Sequence, residues 1–160
     1  MTWYQFVVIV HVVCATMWVG GILFLGLVAV PAIRRMQPAA RAELLGALGR
    51  RFRAIGYVLL GVLIVTGVVQ SAFRGATIAN VLDGTFFQQP FGATLGRKLL
   101  FFVAMLAVSI VHDFIVGPAS VRAARAGRET ERLRKAASWL ARLTAVLALL
   151  VVAYAVLLVR

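Results

Sequence analysis

The stretch Phe6–Val30, FVVIVHVVCATMWVGGILFLGLVAV, runs for 25 residues with His11 as its only ionisable side chain other than a thiol. A helix rises about 1.5 Å per residue, so about 20 apolar residues cross the hydrocarbon core of a bilayer. The stretch is long enough to do so and has none of the alternation expected of a half-buried strand. Three more stretches read the same way. Ala54–Phe73 carries no charge, Leu99–Val116 is interrupted by His112 and Asp113, and Leu143–Val159 extends backward through Trp139 and Leu140. A segment in lipid must satisfy its own backbone, which favours helices. The expected fold is therefore an all-α integral membrane protein, a four-transmembrane-helix bundle forming one membrane domain over residues 1–160. Its helices are expected at about 4–31, 54–73, 96–117 and 138–159.

Composition agrees. Of 160 residues, 62% are hydrophobic and 14% charged, and mean hydropathy is +0.97. Soluble domains carry about 45–50% apolar and about 25% charged residues. These values exclude a soluble globular chain and also a disordered one. In a soluble protein the net charge of +12 would point to nucleic acid. Here it points to basic connections held on one side of a bilayer, and no nucleic-acid partner is expected. The single cysteine, Cys14, leaves no disulfide framework within the chain. The N-terminus is not expected to be a cleavable signal, because Met1–Gln5 is free of basic side chains and the apolar run is too long.

The connections set the direction. Residues 34–53 contain Arg34, Arg35, Arg41, Arg50, Arg51 and Arg53 against Glu43, and residues 122–142 hold seven more basic residues against Glu129 and Glu131. The connection 74–95 is nearly uncharged. The positive-inside bias places the basic connections, 34–53 and 122–137, in the cytoplasm, with the 74–95 connection and both termini outside. Arg34, Arg35, Arg50, Arg51 and Arg53, with Asp113, are read as topology-setting or partner-facing groups. A basic patch for anionic lipid or a protein partner is the alternative to a plain solvated face. Arg41–Arg53 and Arg128–Arg142 show helical spacing that would extend the following spans. Val30-Pro31-Ala32 with Arg34 resembles Gly117-Pro118-Ala119 with Arg122, a weak repeat that suggests two helical hairpins in tandem. Each proline is expected to end or kink its helix. In the outer connection, Ile78, Val81, Leu82, Phe86, Phe87 and Phe91 are expected to pack over the bundle mouth or lie in the interface, with a short helix within Thr77–Leu82.

Polar side chains within a span are the first functional candidates. His11, Cys14 and Met17 follow at three-residue steps, and imidazole, thiolate and thioether together suit Cu(I). The alternative is that Cys14 and Met17 pack while His11 bonds a neighbouring helix. Lys98, with Arg97, opens the third helix at the outer boundary. It would either snorkel to headgroups or attract an anionic group such as a heme propionate. His112 is a ligand or a satisfied interior histidine. Asp113 is expected to meet Arg34 or Arg122 rather than His112, since neighbours on a helix point about 100° apart. One heme held by both histidines is disfavoured, because they lie about 16 Å apart along the membrane normal. No phosphate loop, HExxH motif or Ser–His–Asp arrangement appears, and bond-making catalysis is not expected.

Several pieces resemble a known family. They are His11 followed by Met17-Trp18-Val19-Gly20-Gly21 and then Val30-Pro31; Arg51-Phe52-Arg53 with Thr66-Gly67; and Phe91-Gly92-x-x-Leu95-Gly96-x-Lys98-Leu99-Leu100. Over residues 8–115 the chain is similar to CopD-type (copper resistance D domain) membrane proteins, and more distantly to HemJ-like proteins. The first resemblance implies copper binding, uptake or tolerance centred on His11, Cys14 and Met17. The second implies a heme-b redox protein using His11, Lys98 or His112. The 74–95 connection contains no Met, His or Cys. A small accessory subunit of a larger membrane complex, or a homo-oligomer, is the remaining reading.

Overall fold

The computed structural model describes residues 1–128 and 131–158. Glu129 of the second basic connection and Val159, the last residue of the fourth expected helix, lie outside them. Four helices are long and apolar enough to cross a membrane: α1 (Trp3–Ala32), α2 (Pro38–Phe73), α4 (Pro90–Ala124) and α5 (Glu131–Leu157). A short helix, α3 (Ile78–Leu82), and a 3₁₀ turn (Thr85–Gln88) sit in the middle connection. No strand occurs among the described residues.

Local chemistry sets the ends. Thr2 caps α1 reciprocally. Its hydroxyl accepts from the Gln5 N–H at 3.2 Å, and the Gln5 side chain accepts from the Thr2 N–H at 2.8 Å. Pro38 and Pro90 each occupy a first helical position, where a missing N–H costs nothing. That is why α2 and α4 begin earlier than hydropathy alone indicates. At about 1.5 Å per residue, the 36 residues of α2 extend about 54 Å, well beyond a hydrocarbon core of about 30 Å. The excess is Arg41–Arg53, so most of the first basic connection is helix. α5 likewise begins at Glu131, where Lys135 bonds Glu131 one turn on at 2.7 Å. Gly75 ends α2 with φ of 88°, a left-handed position that glycine adopts without steric cost. Asp83 accepts from the hydroxyl (2.6 Å) and the N–H (2.9 Å) of Thr85, which hold its carboxyl below the usual range.

Pro31 and Pro118 each sit just past a widened turn. α1 is π-helical over Leu25–Ala29 before Pro31, and α4 over Val111–Val116 before Pro118. A proline ring clashes with the carbonyl four residues back and donates no hydrogen bond, and a wider turn relieves both faults. α1 stops at Ala32, but α4 runs on through Pro118 to Ala124. The paired motifs thus carry paired distortions.

α1 packs along α2 and α4 along α5, two antiparallel hairpins. α1 also touches α5, and α2 lies against the far end of α4, beyond Gly117. Both termini and α3 therefore share one end, called here the terminal end, and the two basic stretches share the other, the basic end. The core is narrow. Trp18, Leu59, Leu60, Leu63, Met105 and Ala148 meet at its centre, one or more from each long helix, and Met105 is fully buried. The outward faces are aliphatic, with Val58 68% and Leu100 67% exposed. Apolar surface on that scale is tolerable only in lipid, so the bilayer is the solvent of this fold.

The terminal end is plugged by Phe86, which is 1% exposed and packs edge-on against Phe87 and Phe91. Gly92 lets α4 pass the Phe86 carbonyl, where a Cβ would collide with that oxygen. The Gly92→Ala variant should lose about 1–3 kcal/mol of stability, as overpacking does. Gly20→Ala, where a Cβ meets open space, should melt as the wild type does. Thermal unfolding in mild detergent compares the two.

Candidate functional site

His11 projects from α1 onto α2. Its Nδ1 lies 2.7 Å from the Thr66 Oγ1. Thr66 is buried, and its hydroxyl donates to the Val62 carbonyl at 2.6 Å, one turn back on α2. Gly67 follows, and a Cβ there would sit 3.6 Å from the His11 Cε1. A Cβ there would make ordinary contact with the ring, which lies beside the α2 backbone. Lys98 on α4 is half-buried. His11 and Lys98 each lie about 12 Å from the terminal-end start of their helices, Trp3 and Pro90. Lys98 is thus two turns inside α4 and does not open it, because Pro90 starts the helix early. Arg97 beside it is exposed. Toward the bundle centre, Trp18 and Phe102 approach with ring centroids 6.4 Å apart and floor the site with apolar surface.

The copper-type triplet does not converge. Cys14 is half-buried against the core, whereas Met17 is 55% exposed on the outward face. Among the described residues no three His, Cys, Asp or Glu side chains gather as metal ligands.

The second polar cluster lies at the basic end. The His112 Nδ1 is 3.0 Å from the Asp113 Oδ1, so the two adjacent residues do pair. The expectation that they point apart assumed an ordinary α-helical turn. The π-helical turn at Val111–Val116 has more residues per turn and a smaller angle between neighbours. Arg53 of α2, rather than Arg34 or Arg122, reaches position 113, where its guanidinium donates to the Asp113 carbonyl. The same guanidinium lies 5.2 Å over the Phe114 ring, and Tyr57 stacks on Phe114 at 6.2 Å. Arg34, Arg35, Arg50 and Arg51 are exposed. His112 and Asp113 remain about one third exposed, at 31% and 35%. Along α4, about 20 Å separates Lys98 from His112, so the two histidines belong to separate clusters.

Sequence reasoning quoted Thr66 only within a motif and passed over Tyr57 and Phe114. The available signal for Thr66 was a hydroxyl inside an uncharged span, since such a group needs a partner.

These features define a polytopic helical membrane protein of two hairpins, with a half-buried imidazole and a half-buried lysine toward its terminal end. Residues 46–158 match the family model described as "CopD: Copper resistance protein D". A protein of Aquifex aeolicus (strain VF5) described as "Uncharacterized protein" is 33% identical over 143 residues, covering 89% of this chain and 85% of its own length. No solved structure matches at a significant level. The chain belongs to the CopD family of copper-resistance-related membrane proteins. The family match takes in Thr66 and Lys98 and begins after α1, so His11 falls outside it.

Arg53 supplies a donor to a carbonyl beside a widened turn. Arg53→Ala should therefore cost about 1–3 kcal/mol, the range for a polar group left without its partner, plus about 1 kcal/mol for the lost cation–π contact. Arg53→Lys should recover part of this. Denaturation of the detergent-solubilised variants measures both.

Proposed function

We propose that this CopD-family protein holds an anionic, metal-centred ligand, heme b, in the outer half of the bundle, where His11 would hold the metal and Lys98 would offset the ligand's negative charge. The observation that carries the reading is one half-buried imidazole and one half-buried lysine at equal depth along their helices, one in each hairpin. A bare cation suits the pair poorly, since an ammonium ion beside the donor repels it. A ligand with a coordinating centre and negative side groups suits both. Bound heme would supply one-electron redox chemistry. His11 offers a ring nitrogen, Lys98 neutralises a carboxylate, and Trp18 with Phe102 keeps water from the apolar floor. The positive-inside bias supports an inner-membrane orientation with the termini and this site outside and the basic connections in the cytoplasm. No bond-making step is assigned to the chain.

A copper ion on His11 and Cys14 is the second reading, favoured by the family description and by Cys14 lying one turn from His11 on the same face. A role as an accessory subunit, or as one copy in a homo-oligomer, would use the outward faces instead.

Purification in mild detergent, followed by an absorption spectrum and metal analysis, separates these readings. The wild type should show a Soret band. His11→Ala should abolish it, Lys98→Ala should lower heme occupancy about 10-fold, as loss of a supporting partner does, and His112→Ala should leave it intact. Copper without a Soret band, lost in His11→Ala, favours the second reading and overturns the first. Neither ligand, with a copurifying membrane partner, overturns both and favours the subunit.

A further inference from the structure

We infer that Thr66 is a positioning residue that fixes the proton of His11 on Nδ1 and so presents Nε2, with its lone pair, as the coordinating nitrogen. The ligand part of this inference rests on the reading above. The proton placement rests on geometry alone.

A threonine hydroxyl has one proton to give. The Val62 carbonyl takes it at 2.6 Å, and the Leu63 carbonyl lies on the longer branch at 3.3 Å. Both carbonyls can only accept. Toward His11 the Thr66 oxygen therefore presents a lone pair. With the hydroxyl proton on Val62, the 2.7 Å separation between that oxygen and the His11 Nδ1 is a hydrogen bond when Nδ1 carries the proton. The other neutral tautomer requires the hydroxyl to turn from the Val62 carbonyl to the ring and so to give up its shortest contact, at 2.6 Å. Thr66 is buried within the span, so water does not compete for either role. With Nδ1 occupied, a neutral imidazole has one lone pair left, on Nε2. A partner at the other ring nitrogen commonly fixes a coordinating histidine in this way.

The test uses the full chain in detergent without added ligand. The protein has two histidines, so ring ¹⁵N spectra of histidine-labelled protein are readily assigned with His112→Gln. His11 should show the Nδ1–H pattern in the wild type and in Thr66→Ser. In Thr66→Val, which keeps the shape and removes the acceptor, the pattern should shift toward Nε2–H. Heme affinity should fall about 10-fold or more in Thr66→Val and recover in Thr66→Ser, with elution volume and helical content unchanged in both. A wild-type ring protonated on Nε2 overturns the inference, as does a Thr66→Val ring spectrum identical to the wild type. A wild-type Nδ1–H ring in a protein that takes up no heme upholds the role of Thr66 and overturns the heme reading instead.

Discussion

Hydrocarbon offers no hydrogen bonds, and the rest of this structure answers to that fact. The spans keep their backbones helical, and their hydroxyls turn back onto their own helices. Thr66 bonds Val62, Ser71 bonds Gly67 and Thr144 bonds Leu140. Among the described residues no buried side-chain polar atom lacks a partner. His11 breaks the pattern by bonding across helices, and this ties α1 to α2 through a side chain rather than through apolar packing alone. The core supplies little else that is polar, since its centre is Trp18, three leucines, Met105 and Ala148.

The two ends of the bundle use their polar groups differently. At the basic end, the Asp113 carboxylate pairs with the His112 imidazole, and Arg53 reaches a main-chain carbonyl in a widened turn of α4. At the terminal end, His11 has a hydroxyl as its partner, and the connection beyond carries a single acidic residue, Asp83. That asymmetry directs attention to the terminal-end pair.

The four spans were legible because length and hydropathy are one-dimensional properties. Phe6–Val30 or Ala54–Phe73 needs no neighbour to be recognised. The helical spacing of Arg41–Arg53 made the extension of α2 legible too, whereas α4 starts at Pro90, within sequence that hydropathy reads as connection. Pairing at the sites was harder still. His112 and Asp113 were expected to diverge on the assumption of a regular helix, and Pro118 removes that regularity from five residues away. Lys98 was read at a boundary because the boundary itself was misplaced. Thr66 is nearly invisible in the sequence, since its role depends on which helix lies opposite. Met17 shows the converse. Its spacing from His11 and Cys14 resembles a ligand set, yet a step of six residues turns it toward lipid.

The two hairpins share a frame as well as a topology. Pro118 lies 87 residues after Pro31 (118 − 31), and Lys98 lies 87 residues after His11 (98 − 11). Met105, fully buried, stands at the same interval from Trp18 (105 − 18). The repeat keeps the frame while changing what it carries, so an imidazole in one half has an ammonium group as its counterpart in the other. A guest lying between the halves would meet like spacing and unlike chemistry, and a lopsided molecule would suit it best.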